Sequence, residues 1–214
     1  MCPIPGAKTE TGLPVVSVVD DDASVRRSLS RLIRAAGWDA ETYSSATEFT
    51  ERMPSSRAAC VLLDIQMPGL TGPQLHEWMA GKGISLPIVF LTGHGDIPTS
   101  VQAMKRGAVD FLLKPVDDEV LLKAIHQAID MHATEQSREK RQDEIRERHA
   151  CLTAREREVM GQVIVGRLNK QIAADLGISV KTVKVHRARA MEKMGVRSVA
   201  ALVHDCDTAG IPQA

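Results

Sequence analysis

Through the first 130 residues, short apolar runs rich in β-branched residues alternate with longer amphipathic stretches. The runs at 15–19 (VVSVV), 40–43, 60–63 (CVLL), 88–91 (IVFL) and 109–113 (VDFLL) have the length and composition of strands. The stretches between them follow a helical period. Residues 23–36 set Val25, Leu29, Leu32 and Ile33 on one face, with Gly37 as a stop. A short helix at 46–53 ends near Pro54, and 72–80 carries Leu75 and Met79 on one side. A helix at 98–105 ends near Gly107. Asp117 and Asp118 open a last helix that turns Leu121, Leu122, Ile125 and Ile129 inward. Strands and helices in strict alternation predict an α/β fold, a doubly wound five-stranded parallel sheet.

Residues 130–149 (DMHATEQSREKRQDEIRERH) break the pattern. Only Met131 and Ile145 are large and apolar, and there is no Gly or Pro. One reading is a solvated, disordered linker. The other continues the preceding helix, which meets no breaker and gains i, i+4 charge pairs such as Glu144–Arg148. The helical reading is preferred, with fraying expected at the far end, where apolar contacts are few. Beyond 150 the chain is helical throughout. Thr153 as N-cap with Glu156 three residues on makes a capping box, and Gly166 ends that helix. A short helix follows, stopped by Gly177, and Ser179 caps another. Two helices joined across Leu176-Gly177-Ile178 form a helix-turn-helix pattern in a second, all-α domain.

Net charge is zero over 214 residues, but the halves differ. Residues 1–130 hold 12 Lys and Arg against 16 Asp and Glu, a balance of −4, and residues 131–214 hold 15 against 11, a balance of +4. The basic half suits a polyanion. Cys2, Cys60, Cys151 and Cys206 form no CxxC pair, so a zinc site and a disulfide framework are not expected, and Cys60 reads as a buried thiol. The start of the chain has neither the basic nor the apolar region of a signal peptide, and reads as a loose tail over 1–13. No apolar run approaches membrane-spanning length. The expected setting is the cytoplasm, without a membrane partner.

Four clusters carry candidate chemistry, each at the C-terminal end of an apolar run. They are Asp20-Asp21-Asp22, Asp64, Thr92 and Lys114. Ligands of an open parallel sheet bind outside the carboxyl ends of its strands. Carboxylates there suit a hard divalent cation, and a compact ammonium suits a phosphoryl oxygen. Asp22 directly precedes a helix and reads as its N-cap. Asp64, in LLDIQMPGLTG, can accept a phosphoryl group as a nucleophile or can simply cap a turn. Pro115 forces Lys114 into extended backbone, so it projects from a strand end.

VVSVVDDD, LLDIQMPGLTG, IVFLTGHGD and DFLLKP closely resemble the receiver domain of two-component response regulators. LTAREREV…NKQIAADLGISVKTVKVHR…MEKMGV resembles the LuxR-type helix-turn-helix. Order and spacing match the FixJ/NarL regulators. The resemblance implies a flavodoxin-like receiver over 14–130, a helical charged linker over 131–149 and a DNA-binding domain over 150–214. It implies that a sensor histidine kinase phosphorylates Asp64. Mg²⁺ (or Mn²⁺) would be held by Asp20, Asp21, Asp64 and the backbone carbonyl of Gln66, with Asp20 acting through water. Thr92 and Lys114 would contact the phosphoryl group, and Phe111 would be the aromatic that turns inward as Thr92 moves. His94 would be a loop member and not a ligand. The protein would be a monomer that becomes a homodimer on phosphorylation, pairing through 98–113, and would meet promoter DNA and RNA polymerase. The recognition helix, about 180–194, would bring Lys184 and Val185 to bases, and Arg187 and Arg189 flank Ala188, where many relatives are basic. Lys170, Lys181, Thr182 and His186 are candidates for phosphate contact, although any exposed basic residue can simply be solvated. A continuous linker helix, ~45 Å at 1.5 Å per residue, would make the unphosphorylated monomer elongated.

Two rivals fit less well. A haloacid-dehalogenase-type phosphatase needs a DxD nucleophile after the first strand, and here the acids are contiguous and Asp64 follows the third. A constitutive DNA-binding protein with a vestigial receiver has no use for an intact acid, Thr and Lys set.

Overall fold

The computed structural model describes residues 12–93 and 108–212. The expected helix at 98–105, His94 and most of the tail at 1–13 lie outside them, as does most of the expected pairing face at 98–113. The N-terminal unit, which reaches Glu135, is built on β1 (Val15–Val19), β2 (Asp39–Tyr43), β3 (Ala58–Asp64), β4 (Ile88–Thr92) and β5 (Asp110–Leu113). They form one parallel sheet in the order β2-β1-β3-β4-β5. The order reverses beside β1, which pairs with both β2 and β3, and this switch point is where such a sheet opens a crevice. Three strands run past their apolar cores. Asp39 joins β2, Ala58 and Ala59 join β3, and β3 and β4 end on Asp64 and Thr92.

Residue alternation along the strands builds two cores. Val16, Val18, Cys60, Leu62, Val89 and Leu91 face α1 (Ala23–Ala35) and the first turns of α4 (Asp118–Ala150), whose Leu121, Ile125 and Ala128 fill that layer. Val19, Val61, Leu63, Ile88 and Phe90 face α2 (Ala46–Arg52) and α3 (Gly72–Gly81), with Phe49, Leu75 and Met79 between. β3 is buried along its whole length, so its sequence is a continuous apolar run until its final aspartate. Cys60 is the buried thiol expected, and burial pushes its pKa up to about 12. Asp22 caps α1 by accepting from the backbone N–H groups of Ser24 and Val25.

α4 is unbroken for 33 residues, and the boundary between the two units falls inside it, after Glu135. Its far end, where fraying is expected from the sequence, is helical to Ala150 and packed. Ile145 is 2% exposed and belongs to the core of the C-terminal unit with Leu152, Val159, Val183, Leu202 and Cys206. Arg141 pairs with the buried carboxylate of Asp205 at 2.9 Å, and Arg146 donates to the Ala209 carbonyl. One apolar side chain in the right helical phase, flanked by two arginines, holds the end of the helix whose apolar contacts were expected to be few.

The rest of that unit is α5 (Ala154–Ile164), α6 (Asn169–Asp175), α7 (Val180–Met194) and α8 (Val199–Ala209). The tight link from α6 to α7 requires a left-handed residue, and Gly177 supplies it at φ 62°. Thr153 and Glu156 form the expected capping box, and Ser179 caps α7. Among the described residues, no helix is long and apolar enough to cross a membrane.

Glu156 does more than cap. It is buried and accepts from Lys193 Nζ at 2.6 Å. That bond first, and the Thr153 N–H second, lower its pKa from 4.5 to about 2. The group therefore contributes stability that is full above pH 4.5 and is lost as pH falls toward 2. Glu156→Gln should flatten the acid limb across that window. Both tryptophans, Trp38 and Trp78, lie in the N-terminal unit, so denaturant unfolding followed by helical circular dichroism, with tryptophan fluorescence as the internal control, reads the effect. An acid limb of unchanged slope would contradict it.

Candidate functional site

The strand-end clusters meet at the carboxyl edge of the sheet. Lys114 Nζ lies 2.6 Å from Asp20 Oδ2 and 2.7 Å from Asp64 Oδ1. The backbone delivers it there. β5 pairs with β4 in the register Thr92–Leu113, and the Lys114 N–H then donates to the Thr92 carbonyl at 2.7 Å. Asp20 follows β1 and is fully buried, with Oδ1 accepting from the Asp22 N–H and Oδ2 from Lys114. Asp21 is exposed beside it, and Asp64 is 5% exposed at the end of β3. Carboxylate oxygens of Asp20, Asp21 and Asp64 lie within 4.8 Å of one another.

One ammonium faces three carboxylates, and the charge shows in the titration. Burial raises the Asp64 pKa, and Asp20 and Asp21 push the same way, against the opposing pull of Lys114. For Lys114, burial works against its charge, but the bonds to Asp20 and Asp64 outweigh it and hold the pKa above the ordinary value. Three hard oxygen donors with an uncompensated negative balance fit a divalent cation such as Mg²⁺. Asp20, whose oxygens already accept bonds, is suited to act through water, and the exposed Asp21 to bind directly. Gln66 sits in the exposed part of the loop after β3. Thr92 is 2% exposed at the end of β4, and Phe111 is half-buried, paired in register with Phe90.

Sequence reasoning missed two residues here. Arg26, on α1, donates from Nη1 to the Asp20 carbonyl at 2.6 Å. It stands one helical turn beyond the Asp22 cap, a phase that could have marked it. Gly72 opens α3 directly against the backbone of Asp64; it ends the motif LLDIQMPGLTG, but the sequence reading gave it no role.

The second candidate surface is α7. Lys181, Lys184, Val185, Ala188 and Arg189 are exposed, and Val185 is 43% exposed despite being apolar. Residues 181, 184, 185 and 188 share one face at helical spacing. Lys170 is exposed on α6. Other candidates are partly engaged. Arg187 is half-buried and donates to Asn169 Oδ1 at 3.2 Å, tying α7 to the start of α6. The Thr182 hydroxyl lies 2.8 Å from that of the cap residue Ser179. His186 is half-buried, with Nδ1 enclosed and lacking a hydrogen-bond partner.

Comparison with known proteins covers both halves. Residues 16–126 match the family model for the response regulator receiver domain, and 150–205 match that for bacterial regulatory proteins of the luxR family. Nodulation protein W of Bradyrhizobium diazoefficiens is 41% identical over 212 residues, spanning 96% of this chain and 91% of that protein. The transcriptional regulatory protein FixJ of Azorhizobium caulinodans is 38% identical, spanning 93% and 94%. Among solved structures, the response regulator StyR is similar with a TM-score of 0.83 at 44% identity, covering 92% of this chain and 99% of that one. Full-length FixJ from B. japonicum aligns with a TM-score of 0.57 at 40% identity, covering 93% and 98%.

Removing the ammonium leaves two buried carboxylates without their shared cation. Lys114→Met should destabilise the N-terminal unit by about 1–3 kcal/mol in chelator. Urea unfolding followed by tryptophan fluorescence measures it, and an unshifted midpoint would show that the bridge does not contribute to stability.

Proposed function

The chain belongs to the two-component response-regulator family, with a receiver domain and a LuxR-type DNA-binding domain, and we propose that it is switched by phosphorylation of Asp64. The observation that carries this reading is the convergence of Lys114, Asp20 and Asp64 at the sheet's switch point, with Asp21 alongside. A sensor histidine kinase presents a phosphohistidine. A carboxylate oxygen of Asp64 attacks phosphorus, the P–N bond breaks with its electrons passing to nitrogen, and the imidazole, already protonated on its other nitrogen, leaves neutral. Asp20, Asp21, Asp64 and the Gln66 carbonyl would hold a Mg²⁺ ion, which would supply positive charge against the transferring group. Lys114 moves its hydrogen bond from carboxylate to phosphoryl oxygen, and Thr92 contributes its hydroxyl. The new anion at the ends of β3 and β4 draws Thr92 inward and Phe111 with it. Asp64 is thus an acceptor within a switch and not the centre of a turnover enzyme.

Phosphorylation then favours a homodimer over the monomer, and paired output domains bind promoter DNA in the cytoplasm and meet RNA polymerase there. α7 enters the major groove. Lys184 and Val185 face base edges, with Arg189 alongside, while Lys170 and Lys181 sit at phosphates. Arg187, Thr182 and His186 are better placed to hold the reading helix than to read.

Two experiments test the two ends of the switch. Asp64→Asn should abolish Mg²⁺-dependent labelling by acetyl phosphate, and Asp22→Ala should leave it intact, because Asp22 serves its helix. Undiminished labelling of Asp64→Asn would sink the assignment. On DNA, Lys184→Ala should cost ~1–3 kcal/mol and relax preference at one base position, whereas Lys170→Ala should weaken all sequences alike and lower the salt dependence. A binding-site selection that returns the parental motif for Lys184→Ala would remove that residue from base contact.

A further inference from the structure

α7 turns an apolar strip to the solvent among its cations. Val185 is 43% exposed, and Ala188, three residues on, is exposed as well. Neither belongs to the apolar cluster of the helical domain, which takes Val183, Ala190 and Met194 from the same helix. Stability does not call for a valine at 185, since a β-branched residue is a mediocre helix former and this one lies outside the core. Lys181 and Lys184 are exposed on the same face, and Arg189 stands at its margin beside Ala188. One turn beyond Ala188 the exposed carboxylate of Glu192 repels phosphates, so the face open to a polyanion closes there. What remains is a pair of methyl-bearing side chains set among ammonium and guanidinium groups.

We infer that Val185 and Ala188 read the C5-methyl groups of two neighbouring bases, thymines in ordinary DNA, by apolar contact alone. The inference rests on the proposed entry of α7 into the major groove and adds to it the chemical feature that is read. In that groove thymine presents a methyl group that no other unmodified base carries. Residues three apart on a helix hold their Cβ atoms ~5–6 Å apart, and stacked base pairs rise ~3.4 Å per step, so the strip spans one to two steps. Carbon atoms gain full contact only at ~3.5–4.0 Å. The short side chain of Ala188 permits that approach, whereas the basic residue that many relatives carry there would fill the same space and offer a donor instead. The Lys184 ammonium, beside the strip, is placed to donate to a guanine of an adjoining pair. A methyl contact does not distinguish the O4 of thymine from the N4 amino group of cytosine. The strip therefore accepts 5-methylcytosine as it accepts thymine, and binding becomes sensitive to cytosine methylation at those positions.

The test is made on the DNA, with the full chain. A site obtained by binding-site selection is remade with deoxyuridine in place of each thymine in turn, which removes the C5-methyl group and nothing else. Affinity is read by fluorescence anisotropy at fixed salt. At two positions in each half-site, no more than two steps apart, the missing methyl should weaken binding about 4-fold, as expected for one buried carbon. A cytosine at either position should also weaken binding, and 5-methylcytosine should recover most of that loss. Val185→Ala should cancel the deoxyuridine penalty at one of the two positions, and Ala188→Lys at the other. Tolerance of deoxyuridine at every thymine overturns the inference. So does a penalty that persists in both variants, or a cytosine that methylation does not rescue. If a variant does not fold, the deoxyuridine and 5-methylcytosine series on the parental protein decide alone. A parental protein that selects no sequence at all overturns the DNA reading itself, and the inference with it.

Discussion

One ammonium group stands between acids carried on two strands, and the receiver's chemistry depends on that imbalance. Lys114 reaches Asp20 and Asp64 together. Asp21 remains, so the edge holds more negative charge than it can satisfy internally. A fully compensated cluster would be a structural feature and nothing more. An under-compensated one is left receptive to a cation, and a cation there makes the arrival of a phosphoryl anion electrostatically tolerable. Burial is the main cause of the raised Asp64 pKa, and Asp20 and Asp21 add to it in the same direction. The fold supplies the arrangement cheaply, since the ends of β1, β3, β4 and β5 already face one crevice in a sheet of this order.

Much of this was legible in the chain. β1, β3 and β4 were visible as apolar runs, because strands buried along their whole length need apolar residues at nearly every position. The caps Asp22, Thr153 and Ser179 declared themselves by short-range rules. Strand ends were less visible, because hydrogen bonding and not hydropathy sets them. Asp39 enters β2 by donating to Pro14, as no hydropathy pattern would suggest. The four site clusters could be assembled from order alone, but Arg26 and Gly72 could not. One acts through a side-chain bond to a backbone carbonyl, the other through the absence of a side chain, and neither leaves a periodic trace. Ile145 was misjudged because a single apolar residue among charges looks like noise until its partners from distant helices are known.

α4 has an unusual composition for its role. Its first turns are apolar on one face and pack on the sheet through Leu121, Ile125 and Ala128, while its last turns hold the helical domain through Ile145, Arg141 and Arg146. The intervening turns, residues 131–140, bury no side chain. An isolated helix of that length is marginal in water, so its order derives from being anchored at both ends. Either anchor alone would leave a polar segment of marginal helicity.

The bond between Arg187 and Asn169 divides α7 by function. On one side lie residues that hold the helix pair together, among them the buried Val183 and Ala190. On the other lie Lys184, Val185 and Ala188, exposed and outside the apolar cluster. Substitutions on such a surface usually change stability by no more than ~0.5 kcal/mol. If those three positions meet DNA as proposed, promoter preference can drift through them without a toll on folding. A descendant of this regulator could acquire a new set of operators while its scaffold, its capping residues and its phosphorylation chemistry remained as they are.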